Sequence, residues 1–319
     1  MRHLISIAFM LMVPLLRAQL VGMQFSVKDP NGKPIGFATI TLETAEKRML
    51  PFAAKKFKTL KCRTDENGVA SERFFCWDGH VIATVVAPGY YSRTLRDLSF
   101  KTDFDTRTKE TVFLEKEKTV NVCLREKVNP VPLYSYRGSN KVWSFGRKES
   151  VAGYDLKVGD WVCPRGRGEV ADFYIRHEMI PTNETYRCVA SLTFAPGGGA
   201  YVSRATCRES APLVYVAETN KLFKTEFCSV QTWDASGRTV LSGDKLLLGN
   251  EALVIRSRAK VDESGSVIEA HYSKIYGPFS IAGVFEYRQS FFNPRINDSN
   301  LELDVGKNLS AERSGEFFP

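Results

Sequence analysis

An all-β chain is predicted by three observations. Short runs rich in Val, Ile, Thr, Phe and Tyr recur from residue 20 onward. Gly, Pro, Asn and Asp break them at short intervals, and helical periodicity is almost absent. The first eighteen residues stand apart. Met1-Arg2-His3 is a short basic start, Leu4 to Leu16 is an apolar run of 13 residues, and Ala18 offers a small residue before Gln19. Residues 1–18 therefore have the form of a secretory signal peptide, too short to span a bilayer. No later apolar stretch has the length of a transmembrane helix, so the expectation is an exported chain with no transmembrane segment.

The strands follow in order. "DPNGKP" supplies the turn residues Asn31-Gly32, suited to positive φ. In the run behind it, Ala38, Ile40 and Leu42 alternate with Thr39, Thr41 and Glu43, one set for each face of a strand. "TDENGVA", residues 64–70, repeats the Asn-Gly signal between two more strand candidates. Val81, Ala83 and Val85 alternate next, Pro88-Gly89 ends that run, and "ETVFLEKE" closes the unit near residue 117.

The succession "GKPIGFATITL", "TDENGVASERF" and "APGYYS" resembles the carboxypeptidase regulatory-like domain across roughly residues 19–117. The resemblance implies a small transthyretin-like β-sandwich. Its motif residues form turns and core, so it implies architecture, and fold alone transfers no activity. The chain departs from that family over residues 44–61, where the connection is longer and more basic than usual.

Residues 118–131, charged and then broken by Asn129-Pro130, read as a linker, and residues 132–319 as a larger β-rich domain. Within it, residues 153–178, 253–279 and 291–310 together resemble a C-terminal region of uncharacterised exported bacterial proteins, which brings no activity. "DESG", residues 262–265, is a turn between two strands. On the strand before it, alternation places Arg256 and Arg258 on one face with Val254, and Ile255 and Ala259 on the other.

Composition narrows the class. The chain is 43% apolar and 25% charged, the balance of an ordinary globular protein. Its net charge of +8 favours association with anionic polymers. The cations concentrate in one place: Lys47, Arg48, Lys55, Lys56, Lys58, Lys61 and Arg63, with Phe52 and Phe57 interleaved. A long connection between sandwich strands is where binding function tends to sit. Nucleic acid is a poor partner for an exported chain, whatever its electrostatics.

Conventional catalytic signals are missing. His80, His177 and His271 lie far apart with no metal-pair spacing, and no G-x-S-x-G occurs. The glycines of "FAPGGGAYVSR" lack the Lys-Ser/Thr of a phosphate loop and suit a tight corner in a sheet. Asp155, Asp160 and Asp172 cluster with Tyr154 and Trp161, which reads either as core aromatics with turn aspartates or as a sugar site. Asp298, Glu302 and Asp304 offer oxygen ligands of the kind calcium takes, outside any EF-hand frame; no other cofactor is implied. Seven cysteines, an odd number, leave at least one thiol over, with Cys62–Cys76 (flanking one predicted hairpin) and Cys188–Cys207 as bridge candidates.

The expectation is a non-catalytic binding protein of the cell envelope or exterior, contacting carbohydrate or another anionic polymer. Two further readings stay open. One is a glycan or peptide hydrolase with its acids in the second domain. The other is a structural or assembly subunit with a protein partner.

Overall fold

The computed structural model describes residues 19–45, 57–77, 79–105, 110–138, 150–181, 185–204, 214–234, 239–243, 251–277, 279, 281 and 287–310. It is all-β, as expected; the helical element among the described residues is a single 3-10 turn at Val305–Lys307. No helix among them is long and apolar enough to cross a membrane. The chain divides into two compact units, residues 1–127 and 128–319.

The first unit contains β1 (Gln19–Lys28), β2 (Thr39–Ala45), β3 (Phe57–Arg63), β4 (Val69–Cys76), β5 (His80–Val86), β6 (Arg93–Ser99), β7 (Thr102–Asp105), β8 (Glu110–Phe113) and β9 (Glu117–Cys123). They form one sheet of order β4-β1-β9, a second of order β3-β2-β5-β6, and a β7-β8 hairpin. Alternate residues of both sheets meet in one core: Val21, Met23, Phe25 and Val27 from β1, Ile40 and Leu42 from β2, and Val81, Ala83 and Val85 from β5. This is a β-sandwich. Burying Phe25, Ile40 or Leu42 completely contributes on the order of 1.5–3 kcal/mol each.

Two boundaries differ from expectation. Residues 118–123, read as the start of a linker, belong to β9, which pairs in parallel with β1 from Gly22↔Glu117 to Lys28↔Cys123. The reason lies in Val120, Val122 and Leu124, whose alternation under the flanking charges carries them into the core. Likewise, the Asn67-Gly68 turn does not close a hairpin. It joins β3 and β4, which lie in different sheets. Cys62 on β3 carries a free thiol, so the expected Cys62–Cys76 bridge is not formed. The Cys76 thiol is buried against Thr44 Oγ1 at 3.5 Å.

The second unit contains β10 (Tyr134–Arg137), β11 (Ser150–Asp155), β12 (Asp160–Trp161), β13 (Phe173–Pro181), β14 (Thr185–Thr193), β15 (Gly199–Arg204), β16 (Glu226–Asp234), β17 (Thr239–Gly243), β18 (Glu251–Val261), β19 (Val267–Tyr276) and β20 (Gln289–Phe292). A six-stranded sheet runs β12-β11-β13-β14-β16-β17, and a five-stranded sheet runs β10-β20-β19-β18-β15. Tyr154, Phe173, Ile175 and Leu192 of the first pack with Leu253, Ile255, Ile275 and Phe292 of the second. The five-stranded sheet has a second core on its other face. There Val254, Tyr272, Tyr276 and Phe291 are covered by irregular segments carrying Val131, Leu133, Val214, Phe223, Leu301 and Leu303. Burial on both faces explains why β18 reads as a continuous apolar run, "ALVI", between Glu251 and its polar end.

One turn is used in both units. Asp29, Asp65 and Asp262 each accept from the backbone N–H groups two and four residues on, through one carboxylate oxygen at 2.8–2.9 Å. Each is followed three positions later by a glycine at positive φ: Gly32 (83°), Gly68 (73°) and Gly265 (82°). An aspartate that caps its own turn, with a glycine free to enter the left-handed region, redirects the chain: at Asp262 into the β18–β19 hairpin, and at Asp29 and Asp65 from one sheet to the other.

Candidate functional site

The acids and aromatics of residues 154–172 are held inside the second unit. Tyr154 is 1% exposed; its ring stacks on Phe173 at 5.5 Å between centroids and meets Trp161 edge-on at 5.2 Å. Its hydroxyl lies 2.7 Å from that of Tyr287, and burial first, then Tyr287, raises its pKa well above the ordinary tyrosine value. Asp155, 1% exposed, accepts from the N–H groups of Lys157, Val158, Glu169 and Val170 and from Arg258 Nη2 at 2.7 Å. Asp172, 2% exposed, accepts from Leu156 N, Ser257 Oγ, Arg258 Nε and Arg258 Nη2. Asp160 closes the same loop by accepting from Trp161 N and from Arg167 N and Nε. These are core aromatics and turn aspartates. Oxygens of Asp155 and Asp172 already engaged in this way are not aimed at a substrate.

Arg258 reaches that cluster through a bulge. Its φ is 49°, and the β18–β19 register shifts between Ser257 and Lys260. Ser257 and Arg258 both bond Asp172, whereas Arg256 bonds Gly197 O at 2.8 Å and lies over Phe223 in the other core. The two arginines expected on one face are therefore on opposite faces. Burial alone lowers the Arg258 pKa; Asp172 and Asp155 more than offset that and leave it raised. The neighbouring glycines make the tight corner expected: a Cβ on Gly199 would meet Phe223 Cβ at 2.9 Å.

The calcium candidates do not converge. Glu302 accepts from the N–H groups of Val128 and Asn129, Asp298 from Asn300 N, and Asp304 from Gly306 N. Among the described residues no group of three or more His, Cys, Asp or Glu is placed to hold a metal. Cys188 lies buried with its sulfur 2.6 Å from His177 Nε2; Cys207 lies outside the described residues.

Among the basic residues, Lys47, Arg48, Lys55 and Lys56 lie outside the described residues. Lys58, Lys61 and Arg63 lie on β3, an edge strand of the first unit, and all three are exposed. Among the described residues they make no ion pair or side-chain hydrogen bond. Register sets what surrounds them. Lys61 pairs with Thr41, Thr41 with Thr84, and Thr84 with Thr94, one row across all four strands. The next row is Arg63, Thr39 and Val86; on the other side lies Thr59, Glu43 and Ile82. Adjacent strands stand about 4.8 Å apart, so the first row extends roughly 14 Å. Thr84 and Thr94 share a hydrogen bond at 3.2 Å. The alternation of "ATITL" indicates Thr39 and Thr41; Thr84 and Thr94 emerge only once the strands are paired. Hydroxyls that donate and accept, bordered by uncommitted cations on one sheet face, suit a hydroxylated anionic polymer.

No family model matches this chain, and no curated protein matches it. Solved structures do. One is 3-chlorocatechol 1,2-dioxygenase from Rhodococcus opacus, at 15% identity and TM-score 0.25 over 34% of this chain and 60% of that one. Catechol 1,2-dioxygenase from Acinetobacter radioresistens matches at 18% identity and TM-score 0.25 over 35% and 53%. A protein of unknown function from Bacteroides fragilis matches at 8% identity and TM-score 0.21 over 88% and 99%. The dioxygenase matches thus span little more than half of those chains. All three are too slight to carry an activity across.

Proposed function

We propose that this is an exported, non-catalytic binding protein of the cell envelope or exterior, and that its first unit holds an acidic polysaccharide on the outer face of the β3-β2-β5-β6 sheet. One observation carries the reading: Lys61 and Arg63 stand exposed and uncommitted at the edge of a face that presents Thr39, Thr41, Thr84 and Thr94 in register. The signal-peptide form of residues 1–18 and the resemblance to regulatory-like sandwiches support the location and the role. Binding would rest on charge and hydroxyl hydrogen bonds, with no bond made or broken.

The test is binding of the purified chain to neutral, sulfated and phosphorylated glycans in physiological salt, where non-specific charge attraction is screened. Selective retention of acidic glycans that drops in Lys61→Ala/Arg63→Ala supports the reading. Equal retention by the double variant, or none by the parent, overturns it.

A further inference from the structure

Where β2 and β3 meet at the end of that sheet, the turn before β2 carries an exposed aromatic residue whose backbone N–H bonds Thr64 O, one residue beyond Arg63. Phe37 precedes Thr39 by two positions, is 66% exposed, and has a φ of 59°. The left-handed region is uncommon for any residue with a Cβ and a genuine outlier for a bulky one. Such strain persists only where the surroundings enforce it. Here the buried Thr64 does so. Its hydroxyl donates to Ile35 O at 3.1 Å and accepts from Ala38 N at 2.8 Å. Its backbone accepts from Phe37 N and donates to Ala38 O.

A glycine stands one position earlier, where space is what matters: a Cβ on Gly36 would meet Asp65 O and Glu66 Cα at 3.1 Å. Position 37 has the opposite need. It requires a backbone conformation that glycine enters without penalty, yet it carries a phenyl ring that buries little. Burial gives little reason for that ring.

We propose that Phe37 is the stacking platform for a sugar ring of the acidic glycan, its face taking the apolar C–H side of the ring while Arg63 and Thr39, paired next to it on β3 and β2, take charge and hydroxyls. This rests on the reading given under Proposed function and narrows it from polyanions in general to those built of sugars. Arg63 supplies the charge complementarity, and the ring supplies the discrimination.

The experiment compares heparin, a sulfated sugar polymer, with inorganic polyphosphate, a polyanion that has no sugar. The full chain is titrated with each in physiological salt, as parent, Phe37→Gly, Phe37→Trp and Lys61→Ala/Arg63→Ala. Loss of the ring is expected to weaken heparin binding about threefold to tenfold and leave polyphosphate unchanged. Phe37→Trp is expected to retain or strengthen heparin binding. Phe37→Gly should hold or raise the melting temperature, since glycine relieves the strain. Phe37→Asn, which also tolerates positive φ, repeats the test should the glycine variant fold poorly. Heparin binding unchanged in Phe37→Gly but lost in Lys61→Ala/Arg63→Ala overturns this inference and leaves the broader function standing. Equal loss of both polymers in Phe37→Gly also overturns it. A parent that binds neither polymer overturns both.

Discussion

Arg258 of the second unit and Lys61 and Arg63 of the first are cations on β-strands, yet the protein treats them oppositely. Arg258 is turned inward by a bulge onto Asp155 and Asp172, with its guanidinium 4.6 Å over the ring of Phe292. Lys61 and Arg63 are turned outward among threonines with no internal partner among the described residues. Charge by itself therefore marks no site. What distinguishes a candidate site is a cation that the fold has left for something else. The same contrast applies to the acids: Asp155 and Asp172, next to Tyr154 and Phe173 in the chain, are held by the protein's own donors.

The largest effect should come from the inward arginine. Arg258→Met leaves two buried carboxylates without their cation and is expected to lower the stability of the second unit by roughly 3–5 kcal/mol in urea unfolding. Adding Asp155→Asn and Asp172→Asn should restore part of the loss, because the uncompensated charges go with it. A loss under 1 kcal/mol on Arg258→Met would erase the contrast with Lys61.

Next is His177, 1% exposed in the core of the second unit, where burial lowers its pKa from 6.5 to about 4. The folded protein keeps it neutral, whereas the unfolded chain takes up a proton below pH 6.5. Its contribution is therefore fully present above the unfolded value and is lost as pH falls from 6.5 to about 4, on the order of 3 kcal/mol in all. Urea midpoints measured across that window should slope steeply in the parent and flatten in His177→Gln.

The shared aspartate–glycine turns provide a control between units. A Cβ on Gly68 would lie 2.4 Å from Val27 O, whereas nothing lies within 4 Å of one on Gly265. Gly68→Ala is expected to cost more than about 2 kcal/mol and Gly265→Ala about 1 kcal/mol, the difference being the clash rather than the φ. The smallest effect belongs to the outward cations. Lys61→Ala and Arg63→Ala should each change stability by less than about 0.5 kcal/mol while weakening glycan binding.

The turns and the alternating strands were legible because each depends on neighbours in sequence: an Asn-Gly or Ser-Gly pair behind an aspartate, a period of two in "ATITL" and "VIATVV". The inward Arg258 was not. Strict alternation assigns it to the face of Arg256, and only the bulge, enforced by two aspartates about 86 and 103 residues away, reverses it. Double-sided burial of the five-stranded sheet was hidden for the same reason, since its outer cover comes from irregular segments distant in sequence. The threonine row was half visible, as Thr39 and Thr41, until pairing brought in Thr84 and Thr94.

The parallel pairing of β1 with β9 has a consequence for folding order. β1 is the middle strand of its sheet, and one of its two neighbours enters the chain about 95 residues later. Until β9 is available, β1 can complete its antiparallel partnership with β4, but its other side remains an open edge able to recruit a stray strand. A fragment ended at residue 117, the boundary that the sequence suggests for this unit, would keep that edge permanently exposed. A fragment carried to Lys127 closes it, retaining Val120, Val122 and Leu124 as the seal.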